Sequence, residues 1–279
     1  MNVVSYRDPA EFWAIALPVV EAEPVLHSVL ATVTDSIIKD PAIYPDRIFF
    51  AVERDGRHPY LAHHTPPYPI HMPVGDADAA RALADHVHAA GRRPRRAGGH
   101  WTSVEAFVDR WRELTGQTAT VGMRVGLYDL PVDPALPRPV SGQHRVAESG
   151  DTALVDEWSR AFHREAIGYE PPPSVTNHAS LADGRVMLWC DPEPVAMALA
   201  TTAHGGVTRI GSVYTPPEHR GRGYGSAVTA AISRDRRALG LTCMLYTDLD
   251  NPTSNGIYRA IGYRHLGDTA DIEFVDPSE

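Results

Sequence analysis

The 279-residue sequence predicts an α/β fold (α+β, with a mixed sheet) in two domains. In each domain we expect a central mixed β-sheet that is flanked by helices. Three observations support this prediction. Short runs of alternating apolar residues recur between runs with helical spacing. One succession of strand, loop, helix and strand has the length of a βαβ unit, whose strands are parallel. Four prolines within 129–139 interrupt the chain near its middle.

The predicted elements follow a similar order in both halves. In the first half we expect helices up to about residue 38, strands at 48–53 and 60–64, helices at 76–90 and 104–114, and a strand at 119–127. In the second half we expect a strand at 143–147, a helix at 151–167, a hairpin formed by 185–190 and 195–202, a strand at 207–215 and a helix ending near residue 240. A strand at 243–247, a helix that contains Asn251 and a last strand near 272–274 follow.

A glycine-rich loop lies between the strand at 207–215 and the helix that follows it. Gly221, Gly223 and Gly225 alternate there with Arg222, and Arg220 precedes them. Glycine lets a ligand approach the backbone closely, and the free N–H groups of a helix's first turn attract anions. This pattern is typical of a phosphate-binding loop.

This loop differs from two common phosphate-binding loops. A Walker A loop ends in Gly-Lys-Ser or Gly-Lys-Thr, but the only lysine of the chain is Lys39. A dinucleotide-binding loop requires a third glycine where this chain has Ser226 or Val228. Asp248 nevertheless lies at a suitable distance for a ribose contact, so a dinucleotide remains an alternative.

The loop also contains the pattern Arg-x-x-Gly-x-Gly, and a second pattern follows one helix and one strand later. The first comprises Arg220, Gly223 and Gly225; the second comprises Asn251, Tyr258, Gly262 and Tyr263. In this order the two resemble the signatures of the GCN5-related N-acetyltransferase superfamily. The resemblance covers about residues 142–276, and it implies acetyl-CoA as co-substrate.

The resemblance also implies roles for individual residues. The loop would bind the pyrophosphate, and a main-chain N–H of Val213 or Tyr214 would stabilise the oxyanion. Tyr258 would protonate the leaving thiolate, and Asn251 and Asn255 would bind the pantetheine amides. The implied cofactor-binding residues are Val213, Tyr214, Thr215, Arg220, Gly221, Arg222, Gly223, Tyr224, Gly225, Ser226, Asn251 and Asn255.

The general base is not evident, because the strand before the loop carries no carboxylate in 210–215. Asp248 is our candidate, with Glu218, His219 or a chain of water molecules as alternatives. By analogy with the superfamily, Tyr169, Glu170 and Trp189 are candidates for the acceptor side.

The domain boundaries follow from these patterns. We predict a domain at 1–130, a semi-rigid proline-rich connector at 131–141 and a catalytic acetyltransferase domain at 142–279. Because the first half has a similar order of elements and no Arg-x-x-Gly-x-Gly loop, it resembles the degenerate N-terminal domain of tandem acetyltransferases. An unrelated α/β domain is the alternative.

Composition narrows the range of partners. A formal charge of −9 argues against nucleic acid, but it is compatible with a cationic acceptor. The absence of a signal peptide and of a membrane-spanning run predicts a cytoplasmic protein.

A histidine cluster, His58, His63, His64 and His71, matches no zinc spacing, so we expect no metal. The basic run at 92–96 is predicted to be a solvated turn, with phosphate contacts as the alternative.

Three functions remain open at this stage. The first is an N-acetyltransferase that transfers the acetyl group of acetyl-CoA to a primary amine of a small molecule or peptide, by direct attack in a ternary complex. The second is a non-catalytic acyl-CoA sensor, which would explain the missing base. The third is a nucleotide-dependent oxidoreductase.

Overall fold

A computed structural model describes residues 1–54, 57–167 and 177–276 of the chain. They form two compact units. Unit 1 contains Met1–Leu127, Asp248–Asp250 and Gly267–Glu279, and unit 2 contains Tyr128–Thr247 and Asn251–Leu266. Each unit has a β-sheet with helices packed on it, which confirms the predicted mixed α/β fold class.

The strands and helices are as follows. The strands are β1 (Asn2–Tyr6), β2 (Ile48–Arg54), β3 (Arg57–His64), β4 (Ile70–Met72), β5 (Arg96–His100), β6 (Thr118–Asp129), β7 (Gln143–Val146), β8 (Val186–Cys190), β9 (Pro194–Ala200), β10 (Val207–Tyr214), β11 (Thr242–Asp248) and β12 (Arg264–Val275). The helices are α1 (Pro9–Ala22), α2 (Ser28–Lys39), α3 (Ala77–Ala89), α4 (Trp101–Thr115), α5 (Thr152–Phe162), α6 (His178–Ala182), α7 (Tyr224–Ala238) and α8 (Pro252–Ile261).

In unit 1, β1, β2, β3 and β4 pair in that order and antiparallel, and β4 then pairs with β5 in parallel. Alternate side chains of β2 point to opposite faces of the sheet. Phe50 packs in a cluster with Leu83 of α3 and Phe107 of α4, whereas Phe49 packs with Phe12 of α1. Helices therefore cover both faces.

In unit 2, β7, β8, β9 and β10 pair antiparallel, and β10 pairs with β11 in parallel. The predicted βαβ unit is thus confirmed, with α7 as its crossover helix. Trp189 of β8 packs in a cluster with Val228 of α7, while its neighbour Leu188 packs with Trp158 of α5. This sheet too is buried on both faces.

Some predicted elements differ from the structure. The sequence prediction missed β1, β4 and β5. In β5 the pair Gly98-Gly99 reads as a break, but a Cβ on Gly99 would lie 2.0 Å from the carbonyl oxygen of Met72, so glycine allows β4 and β5 to approach. The helix predicted at 151–167 is divided into a 3-10 turn, α5 and a π-helical turn at His163–Ile167.

The proline-rich segment has no helix or strand, as predicted, but it packs on unit 2. Pro134 is buried, and its carbonyl oxygen accepts a hydrogen bond from Arg234 of α7 across 2.9 Å. The N–H of Ala135 donates to the carbonyl oxygen of Ile261 across 3.0 Å. The middle of the segment is therefore held against α7 and the end of α8.

The division into consecutive domains at 131–141 stays a prediction, and the compact units differ from it at the C-terminus. Gly267–Glu279 belongs to unit 1, because Thr269–Glu273 of β12 pairs antiparallel with β5. In the described part of the chain, no helix combines the length and the apolar character that crossing a membrane requires.

Candidate active site

The glycine-rich loop lies in unit 2 where the chain passes from β10 to α7. β10 and β11 are parallel neighbours, and α7 connects them. In sheets of this kind, ligands bind at the carboxyl ends of the strands, next to the N-termini of the following helices. The predicted site is therefore at the usual position for a cofactor.

A β-bulge interrupts β10 near its C-terminal end, between Gly211 and Tyr214. Gly211 pairs with Leu199 of β9, but the next pair joins Tyr214 to Met197, so β10 has one residue more than β9. Ser212 within the bulge has a φ of 46°, which is rare outside glycine. Because a bulge disrupts the ladder of hydrogen bonds, it supports the prediction that an N–H of Val213 or Tyr214 binds an oxyanion.

The three glycines of the loop are required for different structural reasons. Gly221 and Gly223 have φ values of 78° and 90°, in the left-handed region. Gly223 is the N-cap of α7, and no side chain caps this helix. Gly225 is helical, and a Cβ there would lie 3.5 Å from Oγ1 of Thr215. The first-turn N–H groups of α7, which begins at Tyr224, are thus left to a ligand.

Unit 1 contains a matching parallel pair, β4 and β5, joined by α3, but its helix begins differently. Asp76 is the N-cap of α3, and its carboxylate accepts a hydrogen bond from the N–H of Ala79 across 3.0 Å. A carboxylate at the N-terminus accepts hydrogen bonds from the free N–H groups of the first turn, and its negative charge repels a phosphate. This difference supports the prediction that the first half lacks a cofactor loop.

Arg220 is paired with a residue that the sequence reasoning missed. Its Nη2 donates to Oε2 of Glu165 across 2.6 Å, and its Nε donates to the carbonyl oxygen of Thr215 across 2.9 Å. The hydroxyl of Tyr214 donates to Oε1 of Glu165 across 3.1 Å. Hydrogen bonding by Arg220 lowers the pKa of Glu165, so this carboxyl group is ionised at neutral pH. The signal available in the sequence was its position directly before the predicted acceptor loop.

Arg138, from the proline-rich segment, was also missed. Its Nη2 donates to the carbonyl oxygen of Gly221 across 3.4 Å, and it lies beside Gly223 together with Val140. With Arg220 and the exposed Arg222, three guanidinium groups border the loop. This concentration of positive charge favours a pyrophosphate.

The side chain of Tyr224 does not face the loop. It is buried, and its hydroxyl donates to Asp191, which also accepts from the hydroxyl of Ser141. These hydrogen bonds lower the pKa of Asp191. Nε1 of Trp189 donates to the carbonyl oxygen of Ser141 across 2.8 Å. The side chain of Tyr224 is therefore occupied, so that the residue has its main-chain N–H available for a ligand. Trp189 holds the C-terminal end of the proline-rich segment through Ser141.

Ser226, another predicted cofactor-binding residue, is half-buried in the first turn of α7. Tyr169 and Glu170, predicted for the acceptor side, lie outside the described residues.

Tyr258 lies on α8 and is 9% exposed. Its ring packs against Tyr263, with 6.0 Å between the ring centroids. Burial raises the pKa of Tyr258 to about 12, so its hydroxyl keeps its proton at neutral pH. Such a hydroxyl is a hydrogen-bond donor for a developing anion.

Asn251 and Asn255 hold α8 in place. Asn251 is the N-cap, and its Oδ1 accepts from the N–H of Ser254 across 3.1 Å. Asn255 is buried; its Oδ1 accepts from the hydroxyl of Tyr128 across 3.0 Å, and its Nδ2 donates to the carbonyl oxygen of Asn251 across 2.8 Å. Both side chains therefore have structural partners, and pantetheine contacts would be additional.

Asp248 is exposed at the end of β11 and belongs to unit 1. Its Oδ1 accepts from the N–H of Asp250 across 2.9 Å, which closes a turn. The alternatives Glu218 and His219 lie in the 3-10 turn Pro217–His219. Nδ1 of His219 is buried and has no hydrogen-bond partner among the described residues. The identity of the base stays a prediction.

Comparisons with known proteins find similarity to acetyltransferases. The model of the family described as FR47-like protein matches residues 190–272, a range that contains the glycine-rich loop and Tyr258. A mycothiol acetyltransferase from Pseudarthrobacter chlorophenolicus is 28% identical over 247 residues, which cover 80% of this chain and 73% of that protein.

Two solved structures share the fold over nearly the whole chain. One is a GCN5-related N-acetyltransferase from Sphaerobacter thermophilus, with a TM-score of 0.59, 16% identity and coverage of 99% of this chain and 96% of that one. The other is an acetyltransferase of the same family from Colwellia psychrerythraea, with a TM-score of 0.58, 11% identity and coverage of 98% and 99%.

Together, the fold, the uncapped helix behind a glycine-rich loop and these relatives define an acyltransferase. Its fold is that of the GCN5-related N-acetyltransferases, and its two sequence patterns and these relatives support that superfamily. The oxidoreductase hypothesis is therefore set aside.

Proposed function

We propose that the enzyme transfers the acetyl group of acetyl-CoA to a primary amine of a small molecule or peptide. The observation that carries this proposal is the N-terminus of α7. Gly223 caps it without a side chain, and Arg138, Arg220 and Arg222 border it. This site has the charge and the free N–H groups that a pyrophosphate requires. The pantetheine arm would extend along Val213–Thr215.

The reaction that we propose is a direct attack. The amine nitrogen forms a bond to the acetyl carbon, and the carbonyl oxygen becomes an oxyanion that an N–H in the bulge of β10 stabilises. The C–S bond then breaks, and coenzyme A leaves as a thiolate. The proton that the amine loses passes to a base, and the thiolate accepts a proton.

The raised pKa of Tyr258 limits how this residue can act. A thiol has a pKa of about 8.5 and burial raises the pKa of Tyr258 further above that value, so full proton transfer from Tyr258 to the thiolate would be uphill. A hydrogen bond donated to the thiolate avoids this cost. We therefore propose that Tyr258 stabilises the leaving group as a donor, and that the thiolate takes its proton from solvent.

Asp248 remains our candidate for the base, and it would act through water, since its Oδ1 already accepts from Asp250. For the acceptor, the name of the Pseudarthrobacter relative makes mycothiol-related amines the first compounds to test. The net charge of −9 also favours a cationic acceptor.

The test is release of free thiol from acetyl-CoA in the presence of a panel of amines, including mycothiol-related ones. We expect amine-dependent release that falls about 10- to 100-fold in kcat for Tyr258→Phe, while the Kd of acetyl-CoA stays close to wild type. Binding of acetyl-CoA without turnover of any amine would favour the sensor hypothesis. Turnover with full activity in Tyr258→Phe would contradict the role of this hydroxyl.

A further inference from the structure

A cavity lies in unit 1, and its lining residues and elements are different from those of the glycine-rich loop. Its volume is about 720 Å³. Pockets of about 300–1,000 Å³ hold small organic ligands. The lining residues come from the turn before β2, from the end of β3 and the loop after it, and from the turn between α3 and β5: Asp46, His64, Pro66, Pro67, Tyr68, Ala90, Gly91, Arg92, Arg93 and Arg95.

This cavity contains the basic run that the sequence predicted to be a solvated turn. That prediction is wrong for Arg92, whose side chain is 14% exposed. Arg92 donates from Nη1 and Nη2 to both carboxylate oxygens of Asp46, across 3.3 and 3.2 Å. It is buried because this bidentate pair satisfies its charge. Arg92 and Asp46 thus form one fixed wall of the cavity.

The other two arginines are exposed. Arg93 donates from Nη1 to the carbonyl oxygen of Arg92 across 3.0 Å, which orients its guanidinium. Arg95 has no ion pair or side-chain hydrogen bond with any residue of the described ranges. Among the lining residues, three guanidinium groups face one carboxylate, in a chain whose net charge is −9. The cavity therefore has a local positive charge, which an anionic ligand would neutralise.

Uncharged groups complete the lining. His64 is 5% exposed, and its Nδ1 is buried without a hydrogen-bond partner in the described part of the chain. Burial lowers the pKa of His64 to about 4, so its ring is neutral and adds no charge of its own. The ring of Tyr68 is 55% exposed, with Tyr44 packed edge-on against it. The face of Tyr68 and the rings of Pro66 and Pro67 offer an apolar surface beside the arginines.

The position of the cavity separates it from any cofactor site of the acetyltransferase kind. Pro66–Tyr68 precedes β4, and Arg92–Arg95 precedes β5, so the cavity lies at the N-terminal ends of this parallel pair. The opposite ends lead to Asp76 and the N-terminus of α3, which corresponds to the phosphate loop of unit 2. The cavity is thus at the opposite end of β4 and β5 from the N-terminus of α3.

We propose that this cavity binds a phosphorylated small molecule. Its phosphate would pair with the guanidinium groups of Arg93 and Arg95, since planar forks of donors match phosphate oxygens. Its organic part would lie on Tyr68 and the two prolines. The site is independent of the proposed acetyl transfer.

The experiment uses the full chain with three probes: inorganic phosphate, ribose 5-phosphate and AMP. Binding is measured by calorimetry and by thermal shift. We expect AMP to bind more tightly than ribose 5-phosphate, because the base can stack on Tyr68, and inorganic phosphate to bind most weakly. The double variant Arg93→Gln/Arg95→Gln should weaken AMP binding by at least about tenfold.

Two controls separate this site from other anion sites. Arg81→Gln removes an exposed charge from α3 outside the cavity, and it should leave AMP binding within about twofold of wild type. Arg220→Gln alters the loop of unit 2 and should also leave it unchanged. Equal AMP affinity in the wild type and the double variant, with circular dichroism showing both folded, would overturn the proposal. Equal losses in Arg81→Gln, or loss of binding in Arg220→Gln, would overturn it too.

Discussion

Nη2 of Arg220 lies 2.6 Å from Oε2 of Glu165, so a carboxylate in the π-helical turn after α5 holds the arginine that precedes the glycines of the loop. The two side chains are 48% and 46% exposed, and an ion pair this exposed contributes at most about 1 kcal/mol. In the proposed complex, a pyrophosphate would compete for the same guanidinium with a larger charge. Glu165 thus positions Arg220 in the free protein and would oppose the proposed cofactor to a small extent.

Glu165→Gln should therefore tighten acetyl-CoA binding. Removing the competing charge releases Arg220, and the Kd should fall by up to about fivefold, the equivalent of about 1 kcal/mol. Calorimetric titration with acetyl-CoA measures this directly. Glu157→Gln, an equal change of charge at an exposed position of α5, is the matched control and should leave the Kd unchanged. Weaker binding in Glu165→Gln would show that the carboxylate supports the site.

Gly225→Ala should weaken acetyl-CoA binding without unfolding the protein. A Cβ at this helical position meets Oγ1 of Thr215 at an ordinary 3.5 Å, so the free protein has room for it. The methyl group would occupy the space that the pyrophosphate needs, and we expect the Kd to rise at least about tenfold. Gly256→Ala in α8 is the control, because nothing lies within 4 Å of its Cβ. Similar Kd values in the two variants would place the pyrophosphate elsewhere.

Tyr258→Phe should change how stability depends on alkaline pH. Because burial raises the pKa of Tyr258 from 10.0 to about 12, the unfolded chain loses this proton before the folded protein does. The stabilisation is complete below pH 10 and is lost as the pH rises through 12, with about 1 kcal/mol lost at pH 11. In urea titrations, the free energy of unfolding of the wild type minus that of the variant should therefore fall by this amount between pH 8 and pH 11.

The control for this experiment is the same pair of proteins between pH 6 and pH 8, where neither the folded nor the unfolded chain loses this proton, so that their difference should stay constant. If the difference also stayed constant up to pH 11, the hydroxyl of Tyr258 would not be desolvated in the free protein.

Asn251→Ala should lower the free energy of unfolding by about 1 kcal/mol, because it removes the N-cap of α8. Asn251→Asp keeps a capping oxygen for the N–H of Ser254, so it should restore stability. Urea titrations of both variants measure the cap. The KM of acetyl-CoA then tests the proposed pantetheine contact separately, since aspartate keeps the cap but lacks the amide donor. An unchanged KM in Asn251→Asp would mean that Asn251 serves α8 alone.

Local patterns predicted much of the fold. The strand, loop, helix and strand around Gly221–Gly225 were expected from residues that are neighbours in the chain, and the structure has them as β10, α7 and β11. The bulge in β10 was not expected, since nothing in 210–215 marks an extra residue. The short strands β4 and β5 were missed because their pairing partners decide that they are strands.

The sequence by itself predicted the class of the enzyme, through the resemblance of its two patterns to a known superfamily, and the position of its glycine-rich loop. The loop can be located from the sequence because its backbone requirement is local: glycine at a left-handed φ. Only the tertiary structure decided that Glu165 pairs with Arg220, that Arg138 borders the loop, and that Asn255 pairs with Tyr128. These partners are 55, 83 and 127 residues apart in the chain, so no local pattern brings them together. Their contacts exist because packing of the sheet and helices places distant segments side by side.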